Sequence, residues 1–343
     1  MPAGIFLGRC RAREAKSLGA GLGIAVARRY NAVIIGFWQG RFMTYCVAMC
    51  VDEGLVFLSD TRTNAGVDHI STARKMSVFE QPGERVLVLM GAGNLSLTQA
   101  VLHVLKEAAP AGRPTLWTAS SMTEAARVVG DAVREVHQHE ARSLQEFGVD
   151  FNCSFILGGQ IAAPRGAGEG SADMGTGLVQ RPRLFMIYAA GNFIEASDVN
   201  PYFQIGESKY GKPIIDRVLK PSTPLDEAAK CALISMDSTL RSNLSVGLPL
   251  DLLVYEANAL RVTRFVTIDH DNAYFEMIHR TWGEQLRQVF AEIPDPAWES
   301  PEGVPLQQRG RAPLVLPAMG DAREVPAQPA QTLAQAETVK SRR

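Results

Sequence analysis

The sequence predicts an α+β fold of antiparallel sheets with helices stacked outside them, and the four-layer αββα sandwich is one layout of that class. Two observations lead there. Apolar segments of strand period come in runs, and the runs are separated by pairs of helical segments, unlike the single β-α alternation of a parallel sheet. The composition, 46% hydrophobic and 21% charged over 343 residues, adds that a large core is available. One domain of roughly 200–250 residues with tails fits that length better than two full domains.

The first element is Thr44–Val51, which alternates strictly, with Tyr45, Val47, Met49 and Val51 on one face and Thr44, Cys46, Ala48 and Cys50 on the other. Asp52-Glu53-Gly54 supplies a turn, and Leu55–Ser59 returns as the second strand of a hairpin. Arg85–Met90 is a third strand, running into Gly91-Ala92-Gly93-Asn94. Asn94 is placed to cap a helix over Leu95–Ala109, and Ser121 with Glu124 forms the capping-box spacing ahead of a longer helix from about Thr123 to Phe147.

A strand over Phe151–Leu157 is expected to end at Gly158-Gly159, before a Gly/Ala-rich loop of roughly twenty residues. Leu184–Ala189 opens a strand pair around Ala190-Gly191, and Tyr202–Ile205 meets Gly206. Helices follow at about Lys209–Leu219 and Leu225–Arg241, and strands near Asp251–Glu256 and Leu260–Thr267 close the domain. Its bounds are 44–285, with 1–43 an extension and 286–343 a tail poor in large apolar residues and largely disordered.

Charge and cysteine usage narrow the function. A net charge of -1 argues against a nucleic-acid or anionic-membrane partner for the bulk of the chain. Five scattered cysteines without a C-x-x-C pair argue against a disulfide framework or a zinc site and for a reducing cytoplasm. His137 and His139, two apart on a helix, point to different faces. Gly91-Ala92-Gly93-Asn94 lacks the Gly-Lys-Ser/Thr ending of a phosphate loop. No cofactor and no metal are expected.

The chemistry gathers at Thr44. A Thr hydroxyl needs an adjacent base, and when Thr is the first residue its own α-amine, with a pKa of about 8, supplies one. Residues 1–42 hold seven Lys/Arg against the single acid Glu14, unlike the rest of the chain, and Phe42-Met43 precedes Thr44. They read as a cleaved propeptide or, by preference because Met and not Gly precedes Thr44, as a mis-assigned start; removal of an initiator Met43 then exposes Thr44. The hairpin returns Asp60 beside Thr44, with Arg62 two positions later. A lysine near Thr44, for which Lys75 is available, lowers the amine pKa and stabilises an alkoxide. Gly93, at a strand-to-helix junction, is placed to donate its N–H to an oxyanion.

The segment MTYCVAMCVDEGLVFLSDTRTNAGVDHISTARKMSVFEQPGERVLVLMGAGN resembles the opening of the proteasome β-subunit superfamily, specifically the bacterial Anbu branch of ancestral β-subunit homologues, over about residues 43–285. The resemblance implies an N-terminal-nucleophile (Ntn) hydrolase fold. Thr44 is then the nucleophile, its amine the base, Asp60 and Lys75 the charged partners, and Gly93 part of the oxyanion hole. It implies a threonine-type peptidase acting on peptide or protein amides, in a ring-like or helical homo-oligomer, with an ATP-driven unfoldase left open.

The second cluster that such subunits place near the nucleophile is similar here to Ile205-Gly206-Glu207-Ser208 and Arg241–Gly247. Ser245 is retained, and Glu207 and Ser242 stand where the family has Ser and Asp; Asp237 or Glu207 is the substitute on offer. Arg62, Thr63, Glu207 and Ser208 are the expected substrate-binding residues. Two other functions fit the same residues: a self-assembling scaffold with little peptidase chemistry, and an Ntn amidase on a small molecule or peptide conjugate.

Overall fold

The alternation of the opening segment builds β1 (Tyr45–Val51), and a two-residue turn sends the chain back as β2 (Gly54–Asp60) in the computed structural model, which describes residues 44–64, 70–107, 110, 112–162, 181–297 and 304–305. Register within the hairpin pairs Cys46 with Ser59 and Val51 with Gly54. That register returns Asp60, the last residue of β2, to the mouth of β1.

A short ribbon follows, β3 (Arg62–Asn64) with β4 (Ile70–Thr72), and then β5 (Met76–Gln81) and β6 (Arg85–Gly93). Helix α1 (Leu95–Lys106) starts where the Asn94 side chain accepts the Ser96 N–H. Helix α2 (Met122–Glu146) starts where Ser121 Oγ accepts the Glu124 N–H, while the Glu124 carboxylate reaches back to Ser120 instead of the cap residue itself. The remaining strands of this half are β7 (Cys153–Ile161), β8 (Arg183–Ile187) and β9 (Phe193–Glu195).

The chain then crosses to β10 (Tyr202–Gly206), α3 (Lys212–Val218), α4 (Leu225–Ser242), β11 (Leu250–Glu256), β12 (Arg264–Ile268) and α5 (Ala273–Glu292). Two five-stranded antiparallel sheets result, in the orders β10-β1-β2-β11-β12 and β5-β6-β7-β8-β9. Cys46, Ala48, Phe57, Val86, Val88, Ile156 and Leu253 pack between the sheets. On the outer face of the first sheet Tyr45, Val47 and Leu58 pack with Ile215, Met236 and Ile278 of α3, α4 and α5. On the outer face of the second, Leu87, Leu89 and Leu157 pack with Leu97 and Val101 of α1 and Val129 and Val133 of α2. Each such aliphatic or aromatic side chain contributes about 1.5–3 kcal/mol on burial, and three continuous apolar layers make the four-layer αββα sandwich.

Several elements differ from expectation. Strand β5 and helix α5 carry no clear period in the sequence. Strand β7 does not stop at Gly158-Gly159 but runs through to Ile161, because the glycines serve close sheet packing: a Cβ on Gly158 would lie 2.7 Å from the Phe57 ring and 2.9 Å from Leu184. Strand β12 starts at Arg264 and not Leu260, since Asn258 and Leu260 take positive φ in the preceding turn. The described chain divides into compact units between Leu286 and Arg287, and the second holds a short parallel pair, β13 (Pro296–Ala297) with β14 (Val304–Pro305). Residues 1–43, the expected Gly/Ala-rich loop over 163–180, most of the tail and His69 lie outside the described residues.

Candidate active site

Thr44 sits at the open end of the first sheet, buried to 6% exposure, and its carbonyl is fixed from the far strand. Glu207 donates its N–H to Thr44 O at 2.6 Å. Gly206 makes this approach feasible: its φ is +82°, and a Cβ there would fall 2.1 Å from the same carbonyl oxygen.

On the other side the hairpin delivers Asp60. A single carboxylate oxygen, Oδ1, accepts three donors: the Thr44 hydroxyl at 3.3 Å, the Tyr45 N–H at 3.0 Å and Lys75 Nζ at 2.7 Å. The Lys75 ammonium also donates to Arg62 O at 2.7 Å, and Gly91 donates its N–H to Lys75 O at 3.0 Å. Lys75 therefore stands between the ribbon and β6 with its backbone tied to one and its charge to the other. Burial pushes the Asp60 carboxyl above the usual carboxylate range, and Lys75 pulls it back toward the ionised form. Cys46, directly below, is a buried thiol whose pKa is raised by desolvation, and it acts as a small core residue.

A cavity of about 170 Å³ opens beside Thr44, lined also by Thr63, Lys75, Gly91, Gly93 and Phe155. Gly93 ends β6 with Asn94 N bound to Asn152 O, so the strand-to-helix junction faces the same space as the threonine. Arg62 and Thr63 line the cavity too. The Arg62 guanidinium donates to Leu244 O at 2.9 Å and lies against Gly247, which anchors the 243–247 segment to the ribbon. Thr63 Oγ1 is buried and makes no hydrogen bond among the described residues.

Glu207 and Ser208 do not line this cavity. The Glu207 carboxylate accepts the N–H groups of Ser208 at 2.9 Å and Lys209 at 2.8 Å and the Asn243 side chain at 3.1 Å. Its charge organises the backbone behind Thr44. Ser208 is exposed, and Ser245 is held through its N–H to Asn243 Oδ1 at 3.0 Å, one link from Glu207. Asp237, offered by the sequence as a substitute partner, is engaged elsewhere: its carboxylate meets His279 Nδ1 at 2.6 Å between α4 and α5. Ser242, at the end of α4, is exposed.

Sequence reading missed the polar knot behind the nucleophile. Tyr45 OH meets Ser235 Oγ at 2.5 Å and accepts from Gln204 at 2.6 Å, joining β1, α4 and β10 in a buried cluster. Ser235 within an apolar helix face was the available signal. Among the described residues no group of His, Cys, Asp or Glu is placed to hold a metal ion, and no helix is long and apolar enough to cross a membrane.

The chain is similar to several solved structures. It is 50% identical to the Anbu (Gly-1) mutant from Hyphomicrobium sp. strain MC1, with a TM-score of 0.64 over 74% of this chain and 98% of that one. Anbu (ancestral beta-subunit) from Yersinia bercovieri is 51% identical, with a TM-score of 0.63 over 73% and 98%. The helical assembly of the Anbu complex from Pseudomonas aeruginosa is 43% identical, with a TM-score of 0.63 over 74% and 99%. No family model and no curated protein matches the chain.

Proposed function

The chain belongs to the Anbu family of ancestral proteasome β-subunits, and from that premise we propose that it is a threonine-type amide hydrolase whose working form begins at Thr44. The convergence of Thr44, Tyr45 and Lys75 on Asp60 Oδ1 carries this reading. A buried ammonium held beside a threonine hydroxyl lowers the cost of an alkoxide, and the carboxylate holds that ammonium in place.

With the amide to Met43 removed, the neutral Thr44 α-amine takes the hydroxyl proton as Oγ1 attacks the substrate carbonyl. The oxyanion receives the Gly93 N–H, backed by the amino end of α1. As the tetrahedral species collapses, the C–N bond breaks and the leaving amine takes the proton from the α-ammonium. The ester left on Thr44 is then hydrolysed by a water that the amine deprotonates, and the proton returns to Oγ1. The Glu207 N–H holds the Thr44 carbonyl throughout, and Gly206 leaves room for it. Self-association of the chain is part of the proposal, in keeping with the helical assembly of the Pseudomonas aeruginosa relative.

The test is intact-mass measurement of the purified protein, followed by treatment with a β-lactone electrophile. Expected are a chain beginning at Thr44 and a single adduct on that residue, absent in Thr44→Ala. A chain that retains residues 1–43 and still hydrolyses amides overturns the proposal. The scaffold reading has one observation in its favour: Glu207 and Ser242, where the family has Ser and Asp, give the amine no new partner. It predicts an intact oligomer without any adduct.

A further inference from the structure

A second acid is buried close to Asp60, in a layer that is otherwise apolar. Asp251 of β11 stands two residues from Leu253, which packs between the sheets, so its side chain enters the same layer. Its cross-strand neighbours are Ser59 of β2 and Thr267 of β12, and the adjacent Leu250 pairs with Asp60 itself. Asp251 is only 1% exposed. A charge so placed is costly unless it is paired, so its partners show what it is for.

Thr267 Oγ1 donates to Asp251 Oδ1 at 2.9 Å. Ser59 Oγ, across the other strand, makes no hydrogen bond among the described residues, so the carboxylate does not serve it. The cation that Asp251 meets is Arg74, whose Nε lies 3.8 Å from Oδ2. The Arg74 guanidinium also lies 5.8 Å from the centre of the Phe265 ring of β12, within reach of a cation–π contact. A side chain that is 68% exposed is thus held at its tip by a buried acid and a ring.

Arg74 is the middle residue of the link 73–75, which joins β4 to β5 and belongs to neither strand. The ends of the link are tied: Ala73 donates its N–H to Thr61 O at 2.8 Å, and Lys75 O accepts the Gly91 N–H at 3.0 Å. Lys75 is the next residue. Adjacent Cα atoms keep a fixed separation of about 3.8 Å, so an anchor on Arg74 also fixes the stem from which Lys75 Nζ reaches Asp60 and Arg62 O.

We infer that Asp251 and Arg74 are positioning residues, which together anchor this link and so set the place of the Lys75 ammonium beside Thr44. The inference rests on the hydrolase reading above. Asp251 acts through Arg74, and Arg74 through Lys75. The charged and titratable groups around Thr44 are Asp60 from β2, Arg62 from β3, Arg74 and Lys75 from the link, Cys46 below it and Glu207 behind its carbonyl.

The experiment uses the protein as its host makes it and follows the rate of β-lactone labelling at Thr44 against pH. That rate rises as the α-amine loses its proton, and a cation held nearby lowers the midpoint. Asp251→Asn separates positioning from a direct effect of charge. By charge alone, loss of an anion lowers the midpoint; if the anchor is lost and Lys75 recedes, the midpoint rises. The expected result is a rise of about one pH unit with a labelling rate 10- to 100-fold lower, as a displacement on the order of 1 Å produces.

Arg74→Gln changes an exposed side chain, where folding is least at risk, and is expected to act in the same direction. Arg74→Lys keeps the cation and is expected to regain most of the rate. The double variant Asp251→Asn with Arg74→Gln should be no slower than the slower single one, since both dismantle one pair. Acetic anhydride gives a second readout: acetylation of Lys75 relative to the exposed Lys230 is expected to rise about tenfold in Asp251→Asn and in Arg74→Gln.

A midpoint that falls in Asp251→Asn, or a rate and midpoint that neither variant moves, overturns the inference and leaves the hydrolase reading intact. Absence of any β-lactone adduct on Thr44 in the unsubstituted protein overturns the hydrolase reading. Acetylation of Lys75 then decides on the anchor by itself, and a ratio to Lys230 that is unchanged in both variants overturns it.

Discussion

Lys75 Nζ and Asp60 Oδ1 lie 2.7 Å apart, with side chains 9% and 0% exposed, so the pair has little water with which to share its charge. Removing the cation by Lys75→Ala leaves a buried carboxylate without its counter-charge, at a cost of about 3–5 kcal/mol. The pH dependence has a definite sign. Burial already raises the Asp60 pKa and Lys75 lowers it, so the variant carries a still higher pKa in the folded state. A raised carboxylate pKa means that stability is lost as pH rises through it. The deficit in unfolding temperature relative to the unsubstituted protein should therefore be larger at pH 8 than at pH 5, and a deficit independent of pH would count against the buried ion pair.

Gly206→Ala places a methyl group on the Thr44 carbonyl at a residue with φ of +82°. Both the contact and the left-handed backbone are unfavourable, at about 1–3 kcal/mol. Urea titration should register the loss, and the rate of β-lactone labelling at Thr44 should fall because the nucleophile is displaced.

Glu207→Ala removes the acceptor for two backbone N–H groups and for Asn243. Each donor left without a partner costs about 1–3 kcal/mol. Glu207→Gln retains one acceptor oxygen, so its urea midpoint should lie between those of the alanine variant and the unsubstituted protein.

Tyr45→Phe deletes the hydroxyl shared by Ser235 and Gln204 deep behind the site. A loss of about 1–2 kcal/mol is expected by chemical denaturation. Since the Tyr45 N–H to Asp60 is untouched, the adduct on Thr44 should still form; failure to form it in a folded variant would assign the knot a part in positioning the nucleophile.

Much of this arrangement was legible in the sequence, and the reasons differ by residue. Strict alternation in Thr44–Val51 and the turn at Asp52-Glu53 were enough to bring Asp60 back to Thr44, because strand geometry converts spacing directly into position. The caps at Asn94 and Ser121 were local hydrogen-bond patterns and could be read as such. Strand β5 was hidden because only Met76 and Phe79 of its six residues are buried, a spacing of three that obscures the period of two. Helix α5 was hidden because Phe275 and Ile278 are its only buried residues. Gly158-Gly159 read as a stop because glycine breaks strands more often than it lets two sheets close together. The function of Glu207 lay in the backbone groups it accepts, which no pattern of side chains encodes.

Among the described residues, Thr44 is held through its hydroxyl and its carbonyl, with no hydrogen bond through its nitrogen. The anchors all lie downstream of the bond that would be cut. Hydrolysis at that nitrogen would then turn an amide into a free amine and leave the anchors of Thr44 in place. The residues from Thr44 onward would be nearly superimposable in the inert and the reactive form, and mass, not their positions, would tell the two apart.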